Sequence, residues 1–148
     1  MNYYFPSDPD YRLWAIIRRA HEAIYSVRKS EISPFKLSTA ETGVLLIVHQ
    51  AKGKMWPSEI SRQLMKKPNF ISQLLGRMEK RGLIRTTKEL TRKNRIQVKL
   101  TEKGLEAHKL AESGEKLHKI MGVLTEEERD QLIHCLTKLT NEALKEIH

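Results

Sequence analysis

The chain has 148 residues, enough for one domain or one domain with an oligomerisation appendage, and 39% hydrophobic with 30% charged content excludes disordered, fibrous and collagen-like classes. Its longest unbroken apolar run, Val44 to Val48, is far below the roughly 20 residues that cross a bilayer, and a single cysteine, Cys135, excludes an intrachain disulfide and a multi-cysteine zinc site. The 27 Lys and Arg against 18 Asp and Glu give a formal net charge of +9, and residues 52–103 hold 15 basic and 4 acidic residues of that total, so one central third carries the positive field.

The N-terminal stretch Met1 to Pro6 shows neither a basic region nor a following apolar run of the kind a secretory signal needs, so a cytoplasmic protein is expected. Leu13, Ile16, Ile17, Ala20, Ile24 and Val27 recur at helical spacing, which predicts a first amphipathic helix of about 20 residues ending before Pro34. Ser38-Thr39-Ala40-Glu41 is a capping box, and the apolar run behind it predicts a buried second helix that stops near Gly53. Trp56-Pro57-Ser58-Glu59 opens a third helix with proline in the first turn, where its missing N–H costs nothing.

Lys67-Pro68-Asn69 breaks the chain, with Asn69 the expected cap of a fourth helix whose apolar face is Ile71, Leu74, Leu75 and Met78 and whose stop is Arg81-Gly82. From Leu83 the period becomes two. Strands are predicted over 83–87 and 96–100, joined by the polar segment 88–95. Beyond Thr101 helical spacing returns, interrupted near Ser113-Gly114, and Thr125 to Glu128 is a second capping box before a last helix with a broad apolar stripe through Leu132, Ile133, Leu136, Leu139, Ala143, Leu144 and Ile147.

The order helix, helix, break, amphipathic helix, strand, basic turn, strand is that of a winged helix-turn-helix within a mainly α chain carrying one small β-hairpin. A B-form major groove admits one helix, while the preceding helix braces it and a basic hairpin reaches the neighbouring backbone or minor groove. On this reading 56–64 is the brace and 69–81 the reader. Candidate base contacts are Asn69, Phe70, Ser72, Gln73 and Arg77; Gln73 and Arg77 suit bidentate pairing with adenine and guanine, and Phe70 either packs on a thymine methyl or closes the turn. Lys66, Lys67, Lys80, Arg85 and Lys88 are candidate phosphate contacts, and Arg92, Lys93, Asn94 and Arg95 with Lys88 make the wing.

The stretch from Leu37 to Gly104 resembles the MarR (multiple antibiotic resistance regulator) transcriptional regulators, most clearly in Arg77-Met78-Glu79-Lys80-Arg81-Gly82-Leu83-Ile84 and Val98-Lys99-Leu100-Thr101-Glu102-Lys103-Gly104. The resemblance implies a homodimer joined by helices in 10–33 and 105–148, a DNA-binding domain over 37–104, a palindromic operator, and transcription relieved by a ligand or signal. It also implies a ligand space between the dimerisation helices and the DNA-binding lobe, for which Trp14, Ala15, Arg18, His49 and Trp56 are candidates; Trp14 and His49 suit plain core or interface positions better than ligand contact. The family's wing carries an Asp-x-Arg pattern; here Arg92 stands at the Asp and Asn94 at the Arg, which leaves Arg95 as the alternative groove contact.

Six histidines form no i, i+4 pair and no HExxH string, and no phosphate loop or nucleophile elbow is present, so neither a metal, a cofactor nor an enzymatic activity is expected. The terminal helices carry more apolar surface than a module of about 65 residues covers. A partner chain is the expected cover, and folding back onto the module is the alternative. The sequence thus predicts a homodimeric, sequence-specific duplex-DNA regulator that represses; a winged-helix module binding protein or structured RNA is the competing reading.

Overall fold

In the computed structural model, residues 3–88 and 95–147 are described. The Asp8 carboxylate accepts the N–H groups of Asp10 and Tyr11 at 2.8 and 3.2 Å and, with Pro9 behind it, starts α1 (Pro9–Ile32). A short 3-10 turn, Ser33–Phe35, follows and contains Pro34. In α2 (Thr39–Gln50) the capping box is complete: Ser38 Oγ accepts the Glu41 N–H at 3.1 Å, and Glu41 Oε1 accepts the Ser38 N–H at 2.9 Å. Val44, Leu45 and Val48 form its buried face.

Trp56 caps α3 (Pro57–Leu64), which buries Ile60. The chain turns through Met65 in the left-handed region, held by the Ser61 hydroxyl donating to the Lys66 carbonyl, and enters α4 (Pro68–Lys80). Here the cap differs from expectation. Lys67 is the N-cap, without a side-chain bond, and Asn69 lies inside the first turn, because Pro68 itself occupies the first helical position. The apolar face is the expected one: Ile71, Leu74, Leu75 and Met78 are all buried. Gly82, at φ 74°, ends the helix.

The hairpin pairs β1 (Ile84–Lys88) with β2 (Ile96–Leu100) in antiparallel register from Ile84 opposite Leu100 to Lys88 opposite Ile96. Lys88 is therefore the last strand residue rather than the start of the connection. Leu83 precedes the strand because its N–H closes the end of α4 on the Met78 carbonyl at 3.0 Å, while its own carbonyl accepts the Thr101 N–H at 3.2 Å. The Val98 N–H donates to the Met55 carbonyl at 2.8 Å and ties the hairpin to the segment leading into α3.

Thr101 Oγ1 accepts the Gly104 N–H at 3.0 Å and starts α5 (Glu102–Glu112), whose buried residues are Gly104, His108 and Ala111. This helix packs on α2, and Arg28 of α1 donates to the Ala111 carbonyl at 2.8 Å. One apolar core joins these pieces, from Ile32 and Leu37 through α2, α3 and α4 to Val98 and Ala111. The described residues fall into two compact units divided between Gly114 and Glu115. The second unit contains α6 (Glu115–Met121) and α7 (Glu126–Ile147), the latter started by the Thr125 and Glu128 capping box. Along α7, Leu132, Ile133, Leu136, Leu139 and Ile147 are exposed in the single chain.

On α5 helical spacing predicts Leu105 and Ala111 inward; His108 is buried as well, 3% exposed, with its ring 4.6 Å from that of His49 and Nε2 3.5 Å from Glu112. Burial lowers its pKa from the ordinary 6.5, with Glu112 pulling the other way and His49 adding to the drop. Between 6.5 and that lowered value the unfolded chain takes up a proton the folded chain resists, so stability is retained above pH 6.5 and falls as pH drops below it. Thermal unfolding across pH 7.5 to 5, expressed relative to the same scan of His108→Leu, is expected to show this acid-side loss only in the wild type. Parallel profiles would refute it.

Candidate nucleic-acid interface

The apolar face of α4 locks the helix into the core, so its opposite face is set outward by the same periodicity. Asn69, Phe70, Ser72, Gln73, Arg77 and Lys80 are all exposed on it. Gly76 lies in open space on the same helix, with nothing within 4 Å of where a Cβ would stand. Lys66 and Lys67, also exposed, occupy the turn before α4, and the Lys66 ammonium lies 5.5 Å from the Phe70 ring centre. Phe70 is 41% exposed.

The C-terminal end of α4 is tied down by side chains from three other segments. Arg81 donates to the buried Glu41 carboxylate at 2.6 Å and to the Lys36 carbonyl at 2.7 Å, while Lys103 donates to the Arg81 carbonyl at 2.7 Å. Glu79 accepts from the Thr86 hydroxyl on β1 at 2.9 Å. Glu41 thereby does two jobs, capping α2 with one oxygen and receiving Arg81 with the other. Sequence reasoning recognised Glu41 as a cap and Arg81 as a stop, but not their pairing; the surplus carboxylate oxygen of a capping box in a buried setting was the available signal.

Arg85 and Lys88 are exposed on β1, and Arg85 is the cross-strand partner of Lys99. Like charges placed opposite one another weaken a ladder, so this hairpin carries a concentration of positive charge against its own stability. Arg62 on α3 is different: it is bound to Glu59, whose carboxyl it holds down at about 2. Arg95 is folded onto Trp56, its guanidinium carbon 3.4 Å from the ring centre. The wing residues Arg92, Lys93 and Asn94 lie outside the described residues.

The five ligand-space candidates are not gathered at one place by the contacts of the chain. Trp14, Ala15 and Arg18 sit in the first half of α1, with Trp14 61% exposed. His49 lies near the end of α2 against His108, lining a concavity with Val48, Lys52, Lys99 and Leu105. Trp56 is the N-cap of α3, with the Arg95 guanidinium over its ring. Among the described residues no group of three or more His, Cys, Asp or Glu could hold a metal ion, and no helix is long and apolar enough to cross a membrane.

No protein-family model and no curated protein matches the chain. Among solved structures, the organohalide sensing RdhR-CbdbA1625 transcriptional regulator in its 2,4-dichlorophenol bound form is similar at 30% identity and a TM-score of 0.79, over 93% of this chain and 82% of that one. The chain belongs to the MarR family of transcriptional regulators. The fold of this MarR-family chain is shared by AbsC, a MarR family regulator from Streptomyces coelicolor, at 18% identity and a TM-score of 0.82, over 97% of this chain and 99% of that one. It is shared too by a mutant MarR from E. coli complexed with operator DNA, at 22% identity and a TM-score of 0.76, over 86% and 92% of the two chains. The expected architecture, mainly helical with one hairpin in a winged helix-turn-helix, is the one observed.

Proposed function

We propose that this MarR-family chain is a homodimeric, sequence-specific duplex-DNA-binding regulator that represses transcription by occupying a palindromic operator. The observation that carries the reading is the two-sided character of α4: four buried apolar residues anchor it, and Asn69, Phe70, Ser72, Gln73 and Arg77 are exposed on a helix set in the most basic third of the chain. Gln73 and Arg77 are the base readers, Lys66, Lys67, Lys80, Arg85 and Lys88 hold phosphates, and residues 88–95 form the wing.

Dimerisation through 10–33 and 105–148 is supported by the apolar side chains left uncovered in the single chain, Leu13, Trp14 and Ile16 on α1 and Leu132, Ile133, Leu136 and Leu139 on α7. Two-fold symmetry then places two reader helices on two half-sites. Relief by a small molecule is supported by the relative solved with 2,4-dichlorophenol, and Trp14, Ala15, Arg18, His49 and Trp56 are the residues to test for it.

Selection of bound fragments from random duplex DNA tests the reading as a whole. Two inverted half-sites about one helical turn apart, or a multiple of that, are expected; recovery of sequence-random fragments would overturn it. On the selected duplex Arg77→Ala is expected to cost about 1 to 3 kcal/mol and to relax preference at one operator position, whereas Lys67→Ala weakens selected and random duplexes alike. Equal losses on both duplexes for both variants would refute this division of roles.

A further inference from the structure

We propose that Gly76 is a positioning residue for DNA recognition: its missing side chain leaves the backbone of α4 bare in the middle of the outward face, so that the helix seats deep enough in the major groove for Asn69 and Gln73 to reach base edges. This rests on the duplex-DNA reading above. Gly76 lies inside α4 and is exposed. Apart from its own helix backbone and immediate neighbours, nothing in the chain comes within 4 Å of where its Cβ would stand. A glycine inside a helix is less stable than alanine, so the position carries a cost that some gain has to offset.

The gain is not found within the chain. Gly53 and Gly82 serve backbone angles in the left-handed region, at φ 83° and 74°, and Gly76 is not in that region. The other two glycines inside helices make room for a neighbour: a Cβ on Gly43 would stand 2.8 Å from the Leu64 side chain, and one on Gly104 would meet the Leu83 carbonyl oxygen. What remains for Gly76 is close approach of its backbone to something outside the chain. Its surroundings say what that is. Asn69 stands two turns before it, Gln73 one turn before and Lys80 one turn after, all exposed on the same face. Glu79, the acidic residue of this helix, is engaged with Thr86 on β1. The bare backbone is therefore framed by amide and cationic groups, which suit base edges and phosphates. Buried Ile71, Leu74, Leu75 and Met78 fix the helix from behind, so it cannot turn to accommodate an added side chain.

The test uses the full chain, the selected duplex and a random duplex of equal length. Gly76→Ala is expected to leave the denaturation midpoint unchanged or to raise it, and yet to weaken binding to the selected duplex about tenfold. Gly76→Leu, larger at the same place, is expected to weaken it further. For both variants binding to the random duplex is expected to change by no more than about twofold, and the slope of log affinity against log salt to stay as in the wild type, since no cation is removed. Affinity that falls while stability holds or rises separates seating in the groove from a structural role. Wild-type affinity in both variants, beside an Arg77→Ala variant that has lost it, overturns the role of Gly76 and leaves the DNA-binding reading intact. Equal losses on selected and random duplexes, or a lowered midpoint in Gly76→Ala, overturn it in the same way. Failure of the wild type to retain any duplex overturns both.

Discussion

Raising the salt concentration from 50 to 200 mM is expected to weaken binding to the selected duplex by about three to five orders of magnitude. The reason lies in where the charge sits. Residues 52–103 carry 15 of the 27 basic residues, and Lys66, Lys67, Lys80, Arg85 and Lys88 are exposed around the reader helix and the hairpin. Each phosphate neutralised by such a side chain releases condensed counterions, and releasing them is less favourable in concentrated salt. A symmetric dimer doubles the set of contacts, so the total falls among proteins that make roughly six to ten. Titration of a labelled duplex at four or five salt concentrations gives the slope directly. A slope shallower than about −3 would mean that most of these cations do not meet phosphate, and would move the interface away from α4 and the hairpin.

Gly104→Ala is expected to lower stability by about 3 kcal/mol or more, enough to take up a large part of the margin of an ordinary domain. A methyl group on Gly104 would run into the Leu83 carbonyl oxygen, which is backbone and cannot swing aside. That carbonyl is already engaged with the Thr101 N–H at 3.2 Å, and the Gly104 N–H with the Thr101 hydroxyl at 3.0 Å. Relief therefore requires the start of α5 to move off the hairpin and breaks the cap that begins it. Chemical denaturation of Gly104→Ala beside Gly76→Ala makes the comparison, since Gly76 has open space around it and its alanine variant is expected to be neutral or up to about 1 kcal/mol more stable. Equal stability of the two variants would refute the close approach at Gly104.

Much of the fold was legible because the deciding contacts are between residues three or four apart. Ser38 with Glu41 and Thr125 with Glu128 cap their helices through bonds a reader of the sequence can draw, and Pro57 marks a first turn by its missing donor. The inward face of α4 followed from spacing alone. Where two local signals competed, the reading slipped by one residue: Pro68 and Asn69 both suit a helix start, and proline's fixed backbone angle put the cap at Lys67. His108 was missed because histidine carries no reliable sign of burial in a helix with a weak apolar stripe.

The sequence by itself determined which segments are helix or strand, which face of each is apolar, and that the positive charge is concentrated in the middle of the chain, since all three depend on near neighbours or on composition. Only the tertiary structure decided what individual polar groups do with their charge. Arg81 could have been another solvated cation and is instead bound to Glu41, forty positions earlier; Arg95 lies over Trp56; His108 is shut in beside His49. Such partners are far apart along the chain and meet only after the helices have packed, so no spacing within a segment encodes them.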